Sequence, residues 1–434
     1  MNHLKKHLMS YSIIGTAFIV ILLTFGITYR NSLINPEAAP GGPATCGEPG
    51  TLDLTFGDDG YVDFLTPIYP YDTAVQSDRK IVVVGMSNYK FAVRRFNANG
   101  SIDTTFADQG NLILDLWSDS RAYGVAFQNE GTERKILVTG YYTDTGHYSV
   151  LVRLNDNGTL DNLFGNSGVI TWSGPNEIPN NVGIQEDGKI VVTGKQPWGS
   201  YLFLRRFNED GTLDETFGNN GITTTNIAHD PSDTSLLLHP NGGIFLAGYY
   251  EPLDNNSKDA LIVGYNGNGN LNTQFGNDGI IGFPIGNYND EIFSITSSFE
   301  GKILVSGSFT VGYGPTNVDM FIKQYNLDGS IDLSFGNSGL VILEIPDLIE
   351  SQGSMALQPN GKIIQSGYDT NNYKSTTVRY KTNGEIDTSF GNNGTLESPS
   401  DINQTSHGIR MQGTKKYILI STMNPALSRF CTGD

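Results

Sequence analysis

Charge, cysteine and helical patterning are all scarce in this chain. Only 17% of its 434 residues are charged, and 27 Lys and Arg face 45 Asp and Glu, for a net charge of −18. So little Glu, Lys and Arg excludes a helical bundle or coiled coil. So little positive charge cannot release phosphate counterions on a large scale, which excludes nucleic acid as a partner. Two cysteines exclude a disulfide-rich miniature scaffold and any multi-cysteine zinc or iron–sulfur cluster. The six histidines (3, 7, 147, 229, 239, 407) are scattered, and no Ser/His/Asp, His-x-x-x-His or phosphate-cradling signature appears. No stretch after residue 45 keeps a 3.6-residue apolar period. What is abundant is turn chemistry, with 52 Gly and 18 Pro, beside 38% hydrophobic and 11% aromatic residues, enough to bury a core. The composition is that of a large acidic β protein.

The N-terminus differs from everything downstream. Lys5 and Lys6 precede an apolar run, SIIGTAFIVILLTFGITY, from Ser12 to Tyr29. At ~1.5 Å per residue it reaches ~27 Å as a helix, close to the ~30 Å of a bilayer core. Positive charge before it orients the rest of the chain outward. Residues 1–10 read as a cytoplasmic n-region, 11–30 as a signal segment and 31–45 as a Pro/Gly/Ala linker. The run is long for a cleaved signal and lacks an Ala-x-Ala site, so the expectation is an uncleaved anchor, with a removed signal peptide as the alternative.

Self-comparison sets the architecture of the remainder. GTLDLTFGDDG at Gly50–Gly60 returns as GSIDTTFADQG (Gly100), GTLDNLFGNSG (Gly158), GTLDETFGNNG (Gly211), GNLNTQFGNDG (Gly269), GSIDLSFGNSG (Gly329) and GEIDTSFGNNG (Gly384). Each copy is followed by a short strand and a second strand ending near Gln, as at Gln76, Gln128, Gln185, Gln358 and Gln412. A tight turn then enters a β-branched run closed by Gly (IVVVG at Ile81), and a fourth strand runs to an aromatic (FAVRRF at Phe91). Four short strands with Asx/Gly turns make an antiparallel meander. Seven such units predict an all-β chain: a seven-bladed β-propeller of four-stranded blades over residues 46–434, with an open solenoid as the alternative. The final segment, ALSRFCTGD from Ala426, aligns with a fourth strand, so the first motif completes the last unit after circling the ring. Both cysteines fall at that seam, which predicts a Cys46–Cys431 disulfide in an oxidising compartment; two buried thiols are the alternative.

The motif G-x-[LI]-D-x-x-F-G-x-x-G, with the DGKI-type turn and the Arg-aromatic-Asn strand end, resembles the delta-60 repeat family of bacterial exported proteins. The resemblance covers the chain after residue 45 and implies a propeller-like fold and export, with no general enzymatic activity. Ala107 and Asn272 depart from the pattern.

An Arg sits eight residues before most motif aspartates: Arg95 before Asp103, Arg153 before Asp161, Arg206 before Asp214, Arg379 before Asp387, and Arg429 serving Asp53 across the seam. The fifth copy loses both partners together, as Gly264 and Asn272, and Gln324 stands before Asp332. This reads as an ion pair repeated around a ring, since equivalent carboxylates in every unit cannot be one active site. Turns such as NDNG (Asn155–Gly158) leave hairpin chemistry or a calcium loop open; the apolar residues at the first ligand position favour the hairpin. No catalytic residue, metal site or cofactor is assigned, with calcium the one ion considered.

The loops that run from the first to the second strand vary most. They carry Tyr69, Tyr71, Asp72, Trp117, Asp119, Trp172, His229, Asp230, Asp233, Tyr288, Asp290, Glu291, Asp347 and His407. If the post-motif strand is the outer edge of a blade, these loops return to the axis and ring one face. Aromatics with carboxylates there suit a sugar, a cation or a basic protein segment; ordinary solvated loops are the competing reading. The functional expectation is a monomeric, non-catalytic binding or scaffold module at the bacterial surface or in the periplasm, with an unidentified protein or glycan partner. A glycan hydrolase or lyase using loop carboxylates is the alternative, and a calcium-dependent adhesin a third.

Overall fold

The computed structural model describes residues 46–433, except 65–67, 117–118, 129–132, 175–176, 197–200, 228, 253–256, 287, 312–317, 344–349, 370–373, 399–405 and 422–424. Residues 1–45, which hold the apolar run and linker, lie outside the described residues; among those described, no helix is long and apolar enough to cross a membrane.

Seven four-stranded antiparallel sheets follow one another in Cys46–Asp434, which forms one compact unit. In blade 1 the order from the axis outward is Tyr69–Val75, Ile81–Ser87, Lys90–Phe96 and Asn111–Leu114. The strand after each motif is therefore the outer edge, and the variable loop that follows leads to the innermost strand of the next blade. The inner strands of blades 1 to 7 are Tyr69–Val75, Asp119–Gln128, Ile178–Ile184, His229–Leu238, Asp290–Ser297, Glu350–Leu357 and Ser406–Met411. Each packs against the next, and the seventh packs against the first, so the ring closes. Closure runs through the seam: the post-motif strand Tyr61–Asp63 is the outer strand of blade 7, pairing with Ala426–Cys431. Cys46 and Cys431 form a disulfide there, with Cα atoms 5.6 Å apart.

The core lies between blades. The second and third strands are buried along their length, and each motif Phe (56, 106, 164, 217, 275, 335, 390) is at most 2% exposed. The motif turn after each Phe donates an N–H to the turn of the next blade: Gly57 to Asn99, Ala107 to Asn157, Gly165 to Asp210, Gly218 to Asn268, Gly276 to Asp328, Gly336 to Asn383, and Gly391 to Pro49 across the chain ends.

The repeated Arg and Asp form the expected pair in five blades: Arg95–Asp103 2.8 Å, Arg153–Asp161 2.8 Å, Arg206–Asp214 2.7 Å, Arg379–Asp387 2.8 Å and Arg429–Asp53 2.8 Å. The pair is a triad in the structure. The Lys of the tight turn joins each Asp, as Lys80, Lys135, Lys189, Lys362 and Lys416. The guanidinium also covers the motif Phe, 4.3 Å from the Phe164 ring centre for Arg153, and reaches a carbonyl of the next blade, as Arg206 does at Gly267 (2.7 Å). In blade 4 all three members are gone: Gly264, Gly243 and Asn272 replace Arg, Lys and Asp. Phe245, paired across from Gly264, fills the space and meets Phe275 edge-on at 5.2 Å. Blade 5 keeps Lys302–Asp332 at 2.7 Å, with Gln324 in the place of Arg. His239, at the Gln position of blade 4, points its Nε2 at the Gly301 carbonyl of blade 5 (3.1 Å), just as Gln128 ties to Gly188 and Gln185 to Gly267.

Candidate functional site: a ring of bulged residues at the axis

Every inner strand is irregular at a matching place, and that of blade 4 slips a second time between His229 and Ser232. The register to the second strand slips between Pro70 and Asp72, Ala122 and Gly124, Pro179 and Asn181, Asp233 and Ser235, Ile292 and Ser294, Ser351 and Ser354, and Ser406 and Gly408. The extra residue re-aims a side chain that a regular strand would bury or stack. It lies five positions before the repeated Gln position in each blade, giving Tyr71, Tyr123, Asn180, Thr234, Phe293, Gly353 and His407. The glycine closing each second strand belongs to the same device: a Cβ at Gly85, Gly140, Gly194 or Gly307 would fall 1.9–2.1 Å from a carbonyl of the bulged strand.

The bulges line an axial cavity of about 320 Å³ that opens in the first half of the inner strands, toward the variable loops. Its wall is mostly neutral and polar: Tyr71, Tyr123, Asn180, Asn181, Ser235 and Ser294 face it, with Phe293 as an apolar member. Tyr71 and Tyr123 have ring centres 4.8 Å apart, and Tyr123 continues to Tyr141 at 5.7 Å. Burial pushes the Tyr71 phenol above its ordinary value, against the pull of the Arg121 guanidinium, so it stays a neutral hydrogen-bonding group. Asp72 is the carboxylate among the described lining residues, and it is engaged: Oδ1 meets Arg410 Nη2 at 2.6 Å and Oδ2 accepts the Val125 N–H at 3.1 Å, tying blades 7, 1 and 2.

Of the candidates that the sequence offers on one ring of loops, the structure brings Tyr71 and Asp72 to this cavity. Tyr69 is exposed at the head of the first inner strand, and Asp119 pairs with Arg121 at 3.3 Å. Trp172 ends an outer strand, donates to Glu177 (3.0 Å) and lies under Arg205, so it belongs to the packing of blades 2 and 3. Asp290 is fully buried and accepts the N–H groups of Ile285 (2.8 Å) and Gly286 (3.1 Å). Burial raises its carboxyl to about 6 although those two amides oppose the rise. Glu291 is paired with Lys258 at 2.7 Å, and Tyr288 is half-buried. Trp117 and Asp347 lie outside the described residues; His229, Asp230, Asp233 and His407 have described backbones on inner strands, and His407 is the bulged residue of blade 7. Tyr123, Asn180, Asn181, Ser235, Phe293, Ser294 and Arg410 escape a reading that follows loop divergence. The available signal is the constant offset from Gln. In the Asx-Gly turns, the side-chain oxygens of Asn99, Asn157, Asp210 and Asp328 accept from the residue two positions on, as local turn caps.

Comparison with known proteins recovers five segments of the repeat. Residues 76–106, 134–164, 185–217, 301–335 and 358–390 match the model described as "Domain of unknown function (DUF5122) beta-propeller"; each match ends at a motif Phe. No curated protein matches the chain. Among solved structures, a streptogramin B lyase is 12% identical, with TM-score 0.50 over 86% of this chain and 97% of that one. A protein from Lactobacillus plantarum is also 12% identical (TM-score 0.45; 76% and 88% covered). The propeller domain of the Trilobed protease from Pyrococcus furiosus is 11% identical (TM-score 0.45; 85% and 94% covered). At 12% identity the likeness to the lyase is one of fold, and fold hosts many functions. The chain is a β-propeller repeat protein.

Proposed function

We propose that this chain is an exported, non-catalytic binding module of the delta-60 repeat type, and that it takes a neutral glycan in the axial cavity. The observation that carries the reading is the bulge ring. Positions that serve the fold repeat around this molecule, as Phe, Gln and Gly do; the bulge keeps its geometry in each blade and changes its residue. Six residue types over seven equivalent bulges suit an asymmetric ligand. Tyrosine faces for the C–H side of a sugar, with amides and hydroxyls for its oxygens, suit a carbohydrate. A glycosidase needs two carboxylates about 5–10 Å apart, and Asp72, held by Arg410, supplies one among the described lining residues. Export is supported by the N-terminal apolar run and by the disulfide, which persists in oxidising compartments.

Calorimetric titration with a panel of neutral oligosaccharides tests this. Tyr71→Ala and Tyr123→Ala should each weaken binding roughly tenfold, about 1.4 kcal/mol, while Tyr89→Ala, an exposed ring on another loop, should leave it unchanged. Equal affinity in all three variants would move the ligand off the axis. Turnover of a bound glycan would make the protein an enzyme.

A further inference from the structure

The junction between blades 7 and 1 lacks the acceptors that its neighbour has, and the repeat supplies the control. Between blades 1 and 2, Asp156 bridges two guanidinium groups: its Oδ1 lies 3.1 Å from Arg95 Nη1 and 3.2 Å from Arg134 Nη1. Arg134 has further acceptors in Asp78 (3.1 Å) and the Ser77 hydroxyl (2.9 Å). One blade back, Arg429 and Arg79 occupy the equivalent positions, and all three acceptors are changed: Ala98 for Asp156, Thr414 for Asp78 and Gly413 for Ser77. Among the described residues Arg79 has no side-chain hydrogen bond or ion pair; its guanidinium lies against Gly413. Where the missing carboxylate would be is a cavity of about 360 Å³, lined by Thr55, Arg79, Ala98, Gln412, Lys416 and Arg429. Asp53 is shared by Lys416 (2.6 Å) and Arg429 (2.8 Å), so three cations meet one carboxylate.

The backbone points the same way. Arg79 is held at φ 69°, in the left-handed region. Blades 3 to 6 put Gly at this turn position (Gly188, Gly242, Gly301, Gly361), all with positive φ. A side chain kept where the repeat uses glycine, in a conformation that costs stability, fits a side chain with a task.

We propose that the seam cavity binds a small oxyanion, a carboxylate or a phosphate, bridging Arg79 and Arg429 in the place that Asp156 takes one junction on. Guanidinium groups recognise both chemistries through charge-assisted hydrogen bonds. This site is separate from the axial cavity and does not depend on the glycan reading.

The test is thermal melting and calorimetry of the disulfide-bonded full chain in inorganic phosphate or acetate, against sodium chloride at matched ionic strength. Either or both oxyanions should raise the melting temperature where chloride does not; phosphate alone or acetate alone identifies which chemistry the site takes. Ala98→Asp installs the internal carboxylate and should abolish the anion-dependent shift while raising the baseline melting temperature. Arg79→Gly, which restores the repeat residue and folds on the pattern of four other blades, should weaken binding roughly tenfold or more. An anion response equal to that of chloride, or one that survives intact in A98D and R79G, would overturn the proposal.

Discussion

At the residue scale, the buried aspartates Asp53 and Asp387 on one side and Asp290 on the other have opposite pH dependence. Burial pushes Asp53 and Asp387 up, but the Lys, the hydroxyl of the residue two on and the Arg together overcome it and hold both at about 2. Folded values below the unfolded one, about 3.9, mean that their stabilisation is present above pH 4 and is lost as pH falls toward 2. Asp290 is reversed, since its folded value of about 6 lies above the unfolded one. Its contribution is full below about pH 4 and is lost as pH rises through 6. Stability should therefore peak between pH 4 and 6. Asp290→Asn removes the upper slope, so the stability of the parent relative to this variant should grow by about 2 kcal/mol between pH 7.5 and 4.5. Urea unfolding at the two pH values measures it; a difference independent of pH would show that the carboxylate is not held in that buried loop.

Blade 4 is a natural experiment at the scale of the element. It loses Arg, Lys and Asp together and gains Phe245, because removing one member of a buried ion pair strands the others, whereas replacing the set with a ring does not. Blade 3 offers the matching pair, Val191 across from Arg206. Arg206→Gly alone should cost about 3–5 kcal/mol by leaving Asp214 and Lys189 without the guanidinium. Val191→Phe alone should also destabilise, since its ring meets the Arg206 side chain. Combined, with Asp214→Asn in the background, the two should couple favourably by about 1 kcal/mol or more in a double-mutant cycle. Strict additivity would mean that Phe245 and Gly264 arose independently. The pairing of Arg with Asp was legible from their spacing of eight; the Lys was not, because it comes from another strand and meets the Asp only after the meander folds.

For the whole molecule, the question is what keeps the ring shut. The closing outer strand, Tyr61–Asp63, has three residues, and the disulfide spans 385 positions of sequence. A loop that long sets a chain-entropy contribution near roughly 5 kcal/mol, less any native strain. Cys46→Ser with Cys431→Ser, or reduction, should lower the melting temperature by several degrees and broaden the transition as blade 7 opens ahead of the rest. A calorimetric scan with and without reductant checks this. Superimposable scans would assign closure to blade pairing and to the backbone hydrogen bonds of the chain ends, such as Gly391 to Pro49 and Gly50 to Cys431.

The division between sequence and structure follows from range. Local chemistry repeats, so the motif, the four-strand unit, the number of units and the placing of both cysteines at one seam are all determined by the sequence itself. Each depends on interactions within one unit or on alignment between units. The binding surface was decided by tertiary structure. Side chains from seven blades meet only because the ring closes, and a bulge in each inner strand, invisible to a pattern of alternating residues, turns Tyr71, Tyr123 and Asn180 toward the axis. Loop divergence found Tyr71 and Asp72 but also Trp172 and Asp290, whose partners are in their own or adjacent blades. Variability marks where a chain is free to differ. Which of those differences faces a shared cavity is a matter of curvature and closure, which no single repeat contains.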